Sequence, residues 1–293
     1  MNLAPIVLFV YNRLDHTKQT IEALQKNELA SDSELFIYSD AAKNETAQEK
    51  VHEVREYIKN IEGFKKVTII KREKNWGLAN SIIDGVTKIV NEYGKIIVLE
   101  DDLVTSPYFL KFMNKALEFY KNEKKVWHIS GWNYPIDAKG MDDMFLWRVM
   151  NCWGWATWAD RWTYYEKDVE KIINEFTNDD IKRFNLDGAE NFWSQVTANK
   201  EKRINTWAIF WYATIFKQDG LCLNPTQTFV ENIGHDGSGI HCTDKKSYQD
   251  VVNLKHDFNF ISNFTESKQH LDIITKYMKK NIFTKLKRLI RWK

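Results

Sequence analysis

Three adjacent carboxylates follow a strongly apolar run in the segment KIIVLEDDLV, residues 95–104. These residues, Glu100, Asp101 and Asp102, are called the acidic cluster below. Like charges this close repel one another, and each is costly to remove from water while ionised. The run before them has the β-branched, uncharged character of a strand buried on both faces. A strand that ends in such a cluster indicates a site for a positively charged group.

A cation at the acidic cluster could belong to three kinds of site. The magnesium-binding strand of a P-loop ATPase needs a partner motif GxxxxGK[ST], and the sequence contains none. A calcium loop spreads its ligands over a longer stretch that ends in a Glu, which this spacing does not match. The third is a Mn²⁺ or Mg²⁺ ion that neutralises a departing diphosphate, while the other carboxylates accept hydrogen bonds from a ribose or a base. A solvated acidic turn is the alternative without a function.

The chain around the acidic cluster alternates between strands and helices. Apolar runs predict strands at 5–11, 34–40, 66–71, 95–100 and 126–132, and amphipathic segments predict helices after Asp15 and at 46–61, 80–93 and 106–120. We expect Asp15 to cap the first helix and Pro107 to lie in the first turn of the last one. This alternation predicts an α/β fold in which a mostly parallel sheet carries helices on both faces.

Polar residues follow several of these predicted strands. Asn12 and Arg13 come after the first strand, Asp40 ends the second, and the acidic cluster ends the fourth. Ligands of open α/β sheets bind at the carboxyl ends of the strands. The sequence therefore predicts that these residues share one crevice.

The pattern changes after Trp132. A Trp-rich segment, MFLWRVMNCWGWATWADRW, is followed by a polar helical stretch at 166–202 and by the apolar segment TWAIFWYATIF. A short strand and a loop with Gly and His come next. Because no repeat or linker separates the two parts, we expect the second to pack onto the first within one domain.

The composition is that of an ordinary globular protein: 43% of the 293 residues are hydrophobic and 28% are charged. A net charge of +2 does not indicate a nucleic-acid-binding protein. The cysteines, Cys152, Cys222 and Cys242, lack zinc or CxxC spacing and fit a reducing compartment. The apolar stretch near the N-terminus is too short for a signal peptide, and no segment approaches the ~20 apolar residues of a membrane span. We therefore expect a cytoplasmic protein.

The last segment, KYMKKNIFTKLKRLIRWK (276–293), has eight Lys or Arg residues and no acid. Ile282, Leu286, Leu289 and Ile290 can share one helical face. A basic amphipathic helix of this kind favours contact with an anionic membrane surface. A solvated helix with a basic face is the alternative.

The ordered segments PIVLFVYNR, SDAAKN, NWGLANSI and IIVLEDDL resemble family-2-like nucleotide-sugar glycosyltransferases with the Rossmann-like GT-A fold. EDD followed by VWHISGWN is similar to the N-acetylglucosaminyltransferase I group, and CWGWATW and NIGHDGSGIHC resemble bacterial surface-polysaccharide glycosyltransferases. The resemblance covers most of residues 3–242. It implies a nucleotide-sugar-binding half at 1–132, an acceptor-side half of the same domain at 133–262, and a basic tail at 263–293.

The resemblance also implies a reaction and a set of site residues. The enzyme would be a hexosyl- or N-acetylhexosaminyltransferase that moves a sugar from a nucleotide donor, such as a UDP-sugar, to a bacterial surface polysaccharide or lipid-linked glycan. Asp102 would bind Mn²⁺ or Mg²⁺, with His241 as a second ligand. Gly77 would let the chain approach the ligand closely. The residues implied to bind the nucleotide sugar are Asn12, Arg13, Asp40, Asn75, Glu100 and Asp101. The alternatives without a function are a helix cap for Asp40 and a surface ion pair for Arg13.

Three tryptophans of CWGWATW, Trp153, Trp155 and Trp158, are candidates for stacking on an acceptor sugar. If 153–157 is strand-like, Trp153 and Trp155 share a face. Core packing between the two halves is the alternative.

The catalytic base of an inverting transferase stays unassigned. Relatives place an acid on the helix after the aromatic segment, but here Trp207 is followed by Ala208, and no acid lies between Arg203 and Phe216. A retaining outcome therefore stays open. The candidates left by elimination are Asp187, Glu190 and Asp236.

Two other functions compete with glycosyl transfer. A nucleotidyltransferase that makes NDP-sugars usually needs a Gly-rich, basic loop near the first strand, and VYNRLDH has no glycine. The second is a non-catalytic membrane- or glycan-binding protein of the same fold, which the lack of an assigned catalytic base favours.

Overall fold

The computed structural model describes residues 2–237 and 252–290, with side chains up to residue 279. Within these residues the strands are β1 (Ile6–Val10), β2 (Glu34–Ser39), β3 (Lys66–Lys71), β4 (Lys95–Glu100), β5 (Leu103–Thr105), β6 (Val126–Ser130), β7 (Met144–Trp147), β8 (Trp155–Trp158), β9 (Leu221–Pro225) and β10 (Val230–Asn232). The helices are α1 (Leu14–Gln25), α2 (Gln48–Ile58), α3 (Leu78–Tyr93), α4 (Phe109–Phe119), α5 (Ala159–Trp162), α6 (Val169–Glu175), α7 (Asn178–Phe184), α8 (Trp193–Lys200), α9 (Ala208–Lys217) and α10 (Lys268–Ile290).

Eight strands form one sheet in the order β3-β2-β1-β4-β8-β6-β9-β7. Strands β1 to β4 are mutually parallel, β8 runs antiparallel to both of its neighbours, and β7 runs antiparallel to β9. The other pair, β6 and β9, is parallel. The predicted α/β fold with a mostly parallel sheet is confirmed.

Alternate residues of the central strands belong to two separate cores, because successive side chains of a strand point to opposite faces. Val7 and Val98 pack on one face with α3 and α9. Leu8 and Leu99 pack on the other face with α1, α2 and α4. Helices therefore cover both faces, which explains why these strands have no alternation of apolar and polar residues.

The segment after Trp132 contributes strands to the same sheet. β8 lies between β4 and β6, with Val98 paired to Trp155 on one side and Ile129 paired to Ala156 on the other. The second part of the sequence thus completes the sheet that the first part begins.

Several local expectations are wrong in detail. Arg13, and not Asp15, occupies the N-cap position of α1, and Asp15 lies in the first turn. Helix α4 begins at Phe109, so Pro107 precedes it. The polar stretch 166–202 forms the short helices α6, α7 and α8, separated by turns. A two-stranded sheet of β5 and β10, which the sequence did not predict, lies directly after the acidic cluster.

The C-terminal helix begins as part of the core. Ile274 and Met278 of α10 are buried with the aromatic residues of the second half. His270 stacks on Phe145 with ring centroids 4.1 Å apart and is held by Thr226 Oγ1 at 3.0 Å. The apolar face predicted at 282–290 lies outside the residues whose side chains are described. None of the described helices combines the length and hydropathy that crossing a membrane requires.

Candidate active site

The carboxyl ends of β1, β2 and β4 meet at one edge of the sheet. Ile6 is in register with both Leu35 and Ile97, so the three strands run side by side to their ends. The backbone N–H of Asp40 donates to the carbonyl of Val10 at 3.2 Å just beyond the paired residues. The structure therefore brings the loops at 11–13, 40–41 and 100–102 together, as the strand-end argument predicts.

Arg13 binds two members of the acidic cluster. Its Nη2 contacts Asp101 Oδ1 and lies 2.9 Å from Asp102 Oδ2. Burial alone would lower the pKa of Arg13, but the neighbouring carboxylates raise it well above its ordinary value. Only 19% of the Arg13 side chain is exposed, so this is not the surface ion pair of the alternative interpretation. Asn12 lies half-buried in the same loop.

The acidic cluster has more negative charge than Arg13 balances. Burial, together with the charges of Asp102 and Asp101, raises the pKa of Glu100 to about 8. Burial also raises the pKa of Asp101, although Arg13 opposes this. Asp101 Oδ2 is buried and has no hydrogen-bond partner among the described residues. The cluster is thus a place where an additional cation or hydrogen-bond donor would be stabilised.

Asp40 holds the turn that precedes α3. Its carboxylate accepts hydrogen bonds from Trp76 N at 2.9 Å, from Gly77 N at 2.9 Å and from Asn75 Nδ2 at 3.1 Å. Gly77 has φ +71°, a conformation that favours glycine. Asp40 therefore holds the turn before α3 and does not cap the helix, whose N-cap residue Gly77 has no side-chain cap, and Asn75 is fixed beside it.

Arg72 is a site residue that the sequence interpretation missed. Its guanidinium lies 4.0 Å from the ring centroid of Trp76 and 4.9 Å from that of Tyr38, and it binds Asp84 Oδ2 at 2.5 Å. It directly follows β3, so the rule that placed Asp40 at a strand end would also have found Arg72. It adds a buried positive charge beside the turn that Asp40 holds.

The segment after β10 covers the acidic cluster. Ile233 N donates to the carbonyl of Asp102 at 2.9 Å. A Cβ atom at Gly234 would overlap Asp102 Oδ2 and lie 3.2 Å from Arg13 Nη1. Only a residue without a side chain fits at 234 unless these groups move, so the backbone there forms one wall of the site.

A second wall comes from the residues before β8. Because β4 and β8 are antiparallel with Val98 opposite Trp155, the chain before Trp155 runs beside the chain after Val98. Burial raises the pKa of the Cys152 thiol, and the charges of Glu100 and Asp102 raise it further. The thiol is therefore neutral at pH 7 and lies near the acidic cluster.

This second wall rests on a buried histidine. His128 Nε2 lies 3.0 Å from the carbonyl of Asn151, and Trp211 Nε1 donates to Nδ1 at 3.2 Å. Since Nδ1 accepts, the ring proton is on Nε2 and is donated to Asn151. Burial lowers the pKa of His128 to about 3, so the ring is neutral. The sequence interpretation missed this residue, because an isolated His within a strand gives no signal.

Two of the three predicted acceptor tryptophans are core residues. Trp155 is 1% exposed and stacks on Trp207, with ring centroids 5.1 Å apart. Trp158 is 4% exposed and donates from Nε1 to the carbonyl of Leu117 at 3.1 Å in the opposite core. The acceptor prediction is wrong for both, because neither ring has a free face.

Trp153 differs from these two tryptophans. It precedes β8, so it does not share a strand face with Trp155 as we expected. It is half-buried and packs edge-on against Trp132 and His235, with ring centroids 4.4 and 5.3 Å away. It therefore lies between the end of β6 and the segment that covers the acidic cluster, and its contact with an acceptor sugar stays a prediction.

The other predicted residues lie in different places. His241, the second metal ligand expected from the sequence, lies outside the described residues. Asp187 is 3.6 Å from Arg148 Nη1, next to Glu266. Asp236, two residues beyond Gly234, lies 3.3 Å from His16 Nε2. Of the candidate bases, Asp236 is the one that follows the wall of the acidic cluster directly. Glu190 lies in the irregular stretch that leads into α8.

The described residues fit a divalent ion that arrives with a ligand. No group of three or more His, Cys, Asp or Glu side chains is placed to hold a metal within the described ranges. Asp102 and the unpartnered oxygen of Asp101 are nevertheless suitable oxygen ligands. Mg²⁺ is usually held by one or two carboxylates together with substrate phosphates and water. The site therefore fits a metal–diphosphate better than a metal alone.

Residues 6–125 match the family model "Glycosyl transferase family 2". The matched range contains β1 to β4, all of α1 to α4 and the acidic cluster, but less than half of the chain. The resemblance to GT-A glycosyltransferases is confirmed, and the match supports glycosyl transfer from a nucleotide sugar. Similarity to the N-acetylglucosaminyltransferase I group stays a prediction.

Comparison with curated proteins found no match. Among solved structures, S. aureus TarS is similar over 43% of this chain and 21% of its own, at 15% identity and a TM-score of 0.31. The mannosyltransferase PcManGT from Pyrobaculum calidifontis, in complex with GDP-Man and Mn²⁺, is a second similar structure. The similarity covers 73% of this chain and 72% of the mannosyltransferase, at 11% identity and a TM-score of 0.40. UDP-glucose pyrophosphorylase complexed with UDP-glucose is similar over 76% of this chain and 90% of its own, at 9% identity and a TM-score of 0.37. At these TM-scores none of the three carries an argument about function.

Proposed function

We propose that the protein is a metal-dependent glycosyltransferase that moves a sugar from a UDP-sugar to a bacterial surface polysaccharide or lipid-linked glycan. The observation that supports this most is the position of the acidic cluster. It lies at the end of β4, faces Arg13 from the β1–α1 loop, and belongs to the part of the chain that matches a glycosyltransferase family.

Each residue of the crevice has a role in this proposal. Asp102, with Asp101 beside it, would hold a Mn²⁺ or Mg²⁺ ion, which neutralises the charge that develops on the departing diphosphate. Arg13 would bind phosphate oxygens, since its planar fork matches them in geometry. Asp40 and Asn75 would hold the turn 75–77 against the nucleoside, and Glu100 would accept a hydrogen bond when ionised or donate one when protonated.

The first experiment is calorimetric binding of UDP, GDP and CMP, each with and without Mn²⁺. We expect one nucleotide to bind at least ten-fold more tightly when Mn²⁺ is present. Asp102→Ala should abolish this metal dependence, because it removes the proposed ligand. Asp179→Ala, an exposed acid in the first turn of α7, is the control and should bind like the unmodified protein.

Either of two outcomes would contradict the proposal. Absence of binding for all three nucleotides would remove the donor site and favour a non-catalytic glycan- or membrane-binding protein. Unchanged Mn²⁺-dependent affinity in Asp102→Ala would remove the metal assignment. Slow, Mn²⁺-dependent hydrolysis of the matching nucleotide sugar would further support an enzyme.

The C-terminal segment would bring the enzyme to a lipid-linked acceptor. Residues 280–293 have six Lys or Arg and no acid, which favours an anionic membrane surface. Because Ile274 and Met278 are core residues, only the part of α10 beyond them is available for this contact.

A further inference from the structure

We propose that Arg13 occupies the cation position of the acidic cluster in the free protein, and that a divalent metal binds there only together with a diphosphate that draws the guanidinium away. This inference rests on the proposed function, because it takes Asp102 as the metal ligand. It concerns the order and coupling of binding, which neither the sequence nor the family match addresses.

A single nitrogen of Arg13 stands where a bridging cation would stand. Nη2 contacts Asp101 Oδ1 and lies 2.9 Å from Asp102 Oδ2, so both carboxylates face the same positive atom. Divalent ions bind carboxylate oxygens at about 2.0–2.2 Å. An ion between these two oxygens would therefore overlap the position of Nη2. Arg13 and the metal exclude one another at this point.

The side of Asp102 Oδ2 that faces away from Arg13 is closed as well. The backbone at Gly234 lies so close that a Cβ atom there would overlap Asp102 Oδ2 and come within 2.9 Å of its Cγ. The same oxygen is thus enclosed between Arg13 Nη2 and the segment after β10. Movement of the Arg13 side chain is the smaller change, because the segment at 233 is held to Asp102 by a backbone hydrogen bond of 2.9 Å.

The backbone of Arg13 is fixed while its side chain can exchange partners. Its carbonyl accepts from Thr17 N at 2.9 Å and from Thr17 Oγ1 at 2.8 Å, which anchors the residue at the start of α1. Its side chain is partly exposed, so the guanidinium can turn toward a ligand in the crevice. Guanidinium binds phosphate in a bidentate manner, and a diphosphate offers more oxygens than the two carboxylates do.

The coupling follows from this exchange. Without a diphosphate, the metal must displace Arg13 from the two carboxylates with which it is paired, so metal alone should bind weakly. With a diphosphate present, Arg13 moves to the phosphates, and the carboxylates are left without a counter-ion until the metal enters. Each ligand therefore increases the affinity of the other by the same factor.

The test measures Mn²⁺ binding without nucleotide, from the electron paramagnetic resonance signal of free Mn²⁺. We expect Arg13→Met to bind Mn²⁺ alone at least ten-fold more tightly than the unmodified protein, and UDP to increase this affinity less than it does in the unmodified protein. Arg13→Lys retains the positive charge and should bind Mn²⁺ alone weakly. Lys18→Met is the matched control and should have no effect, because it removes a cation of α1 that lies over Tyr57 of α2.

The outcomes separate this inference from the proposed function. If UDP binds with Mn²⁺ but Arg13→Met does not tighten binding of Mn²⁺ alone, the inference is wrong and the proposed function stands. If no nucleotide binds to the unmodified protein with any metal, the proposed function fails. Should Arg13→Met not fold, tight binding of Mn²⁺ alone to the unmodified protein or to Arg13→Lys would still overturn the inference, and weak binding to both would support it.

Discussion

Mild acid should destabilise the protein through His128, which is neutral when folded and becomes protonated when the chain unfolds. The ring is fully buried, stacks on Trp155 with centroids 5.4 Å apart, and uses both nitrogens in hydrogen bonds that need the neutral form. Its pKa is about 3 in the folded state and about 6.5 when unfolded. A histidine with a lowered folded pKa binds its proton more tightly in the unfolded chain, so stability is full above about pH 6.5 and falls as the pH decreases.

The expected loss of stability follows from how far the pH lies below the pKa of the unfolded histidine, as long as the pH stays above the folded pKa. At pH 5 the unfolded histidine is about 1.5 units below its pKa, and each unit corresponds to about 1.36 kcal/mol. His128 alone should therefore reduce the free energy of unfolding by about 2 kcal/mol at pH 5 relative to pH 7. Other groups titrate in the same range, so the quantity to compare is this pH-dependent loss in the unmodified protein and in His128→Gln.

Urea unfolding at pH 7 and pH 5, followed by tryptophan fluorescence, measures this difference. The Gln variant should be less stable at pH 7, but its further loss at pH 5 should be about 2 kcal/mol smaller than that of the unmodified protein. The control is His52→Gln, whose side chain is 72% exposed and whose removal should leave the pH dependence unchanged. Equal losses in the unmodified protein and in His128→Gln would refute the argument that a buried neutral ring supports the second wall of the site.

Two further predictions concern the wall at Gly234 and the C-terminal segment. Gly234→Ala forces a Cβ atom onto Asp102, so it should cost about 1–3 kcal/mol in stability and weaken Mn²⁺-dependent UDP binding at least ten-fold. Gly94→Ala, strained by φ +79° but with no described neighbour within 4 Å of its Cβ, should lower stability without changing UDP binding, and equal UDP affinity in both variants would contradict the wall at 234. Deletion of 280–293 should abolish co-sedimentation with anionic vesicles while UDP binding is retained, because Ile274 and Met278 stay in the core. Undiminished co-sedimentation would show that other residues make the membrane contact.

The part of the site formed by strand ends could be predicted from the sequence. Apolar β-branched runs define β1, β2 and β4 locally, and in a parallel sheet their ends must share an edge. The contact of Arg13 with Asp101 and Asp102 is consistent with that argument. Arg72 directly follows β3, so the same rule predicts its position at this edge of the sheet.

Features that depend on tertiary packing could not be predicted. A tryptophan-rich segment has the same composition whether its rings face a ligand or a core, and the placement of Trp155 and Trp158 between β4 and β6 decides the matter. The close approach of Gly234 to Asp102 joins residues more than a hundred positions apart, with no local signal. In α10 the sequence predicts an apolar face at 282–290, whereas the residues that the structure buries, Ile274 and Met278, come earlier.

The position of β8 has a consequence for how the chain is made. During synthesis β4 emerges first, and its free edge remains unpaired until Trp155–Trp158 leave the ribosome, since β8 is its neighbour on that side. β6 emerges in between and has neither of its own partners, β8 and β9. An unpaired apolar strand edge is prone to association with other chains. When the chain has left the ribosome only as far as about residue 132, one edge of β4 and both edges of β6 are therefore unpaired apolar strand edges that can associate with other chains.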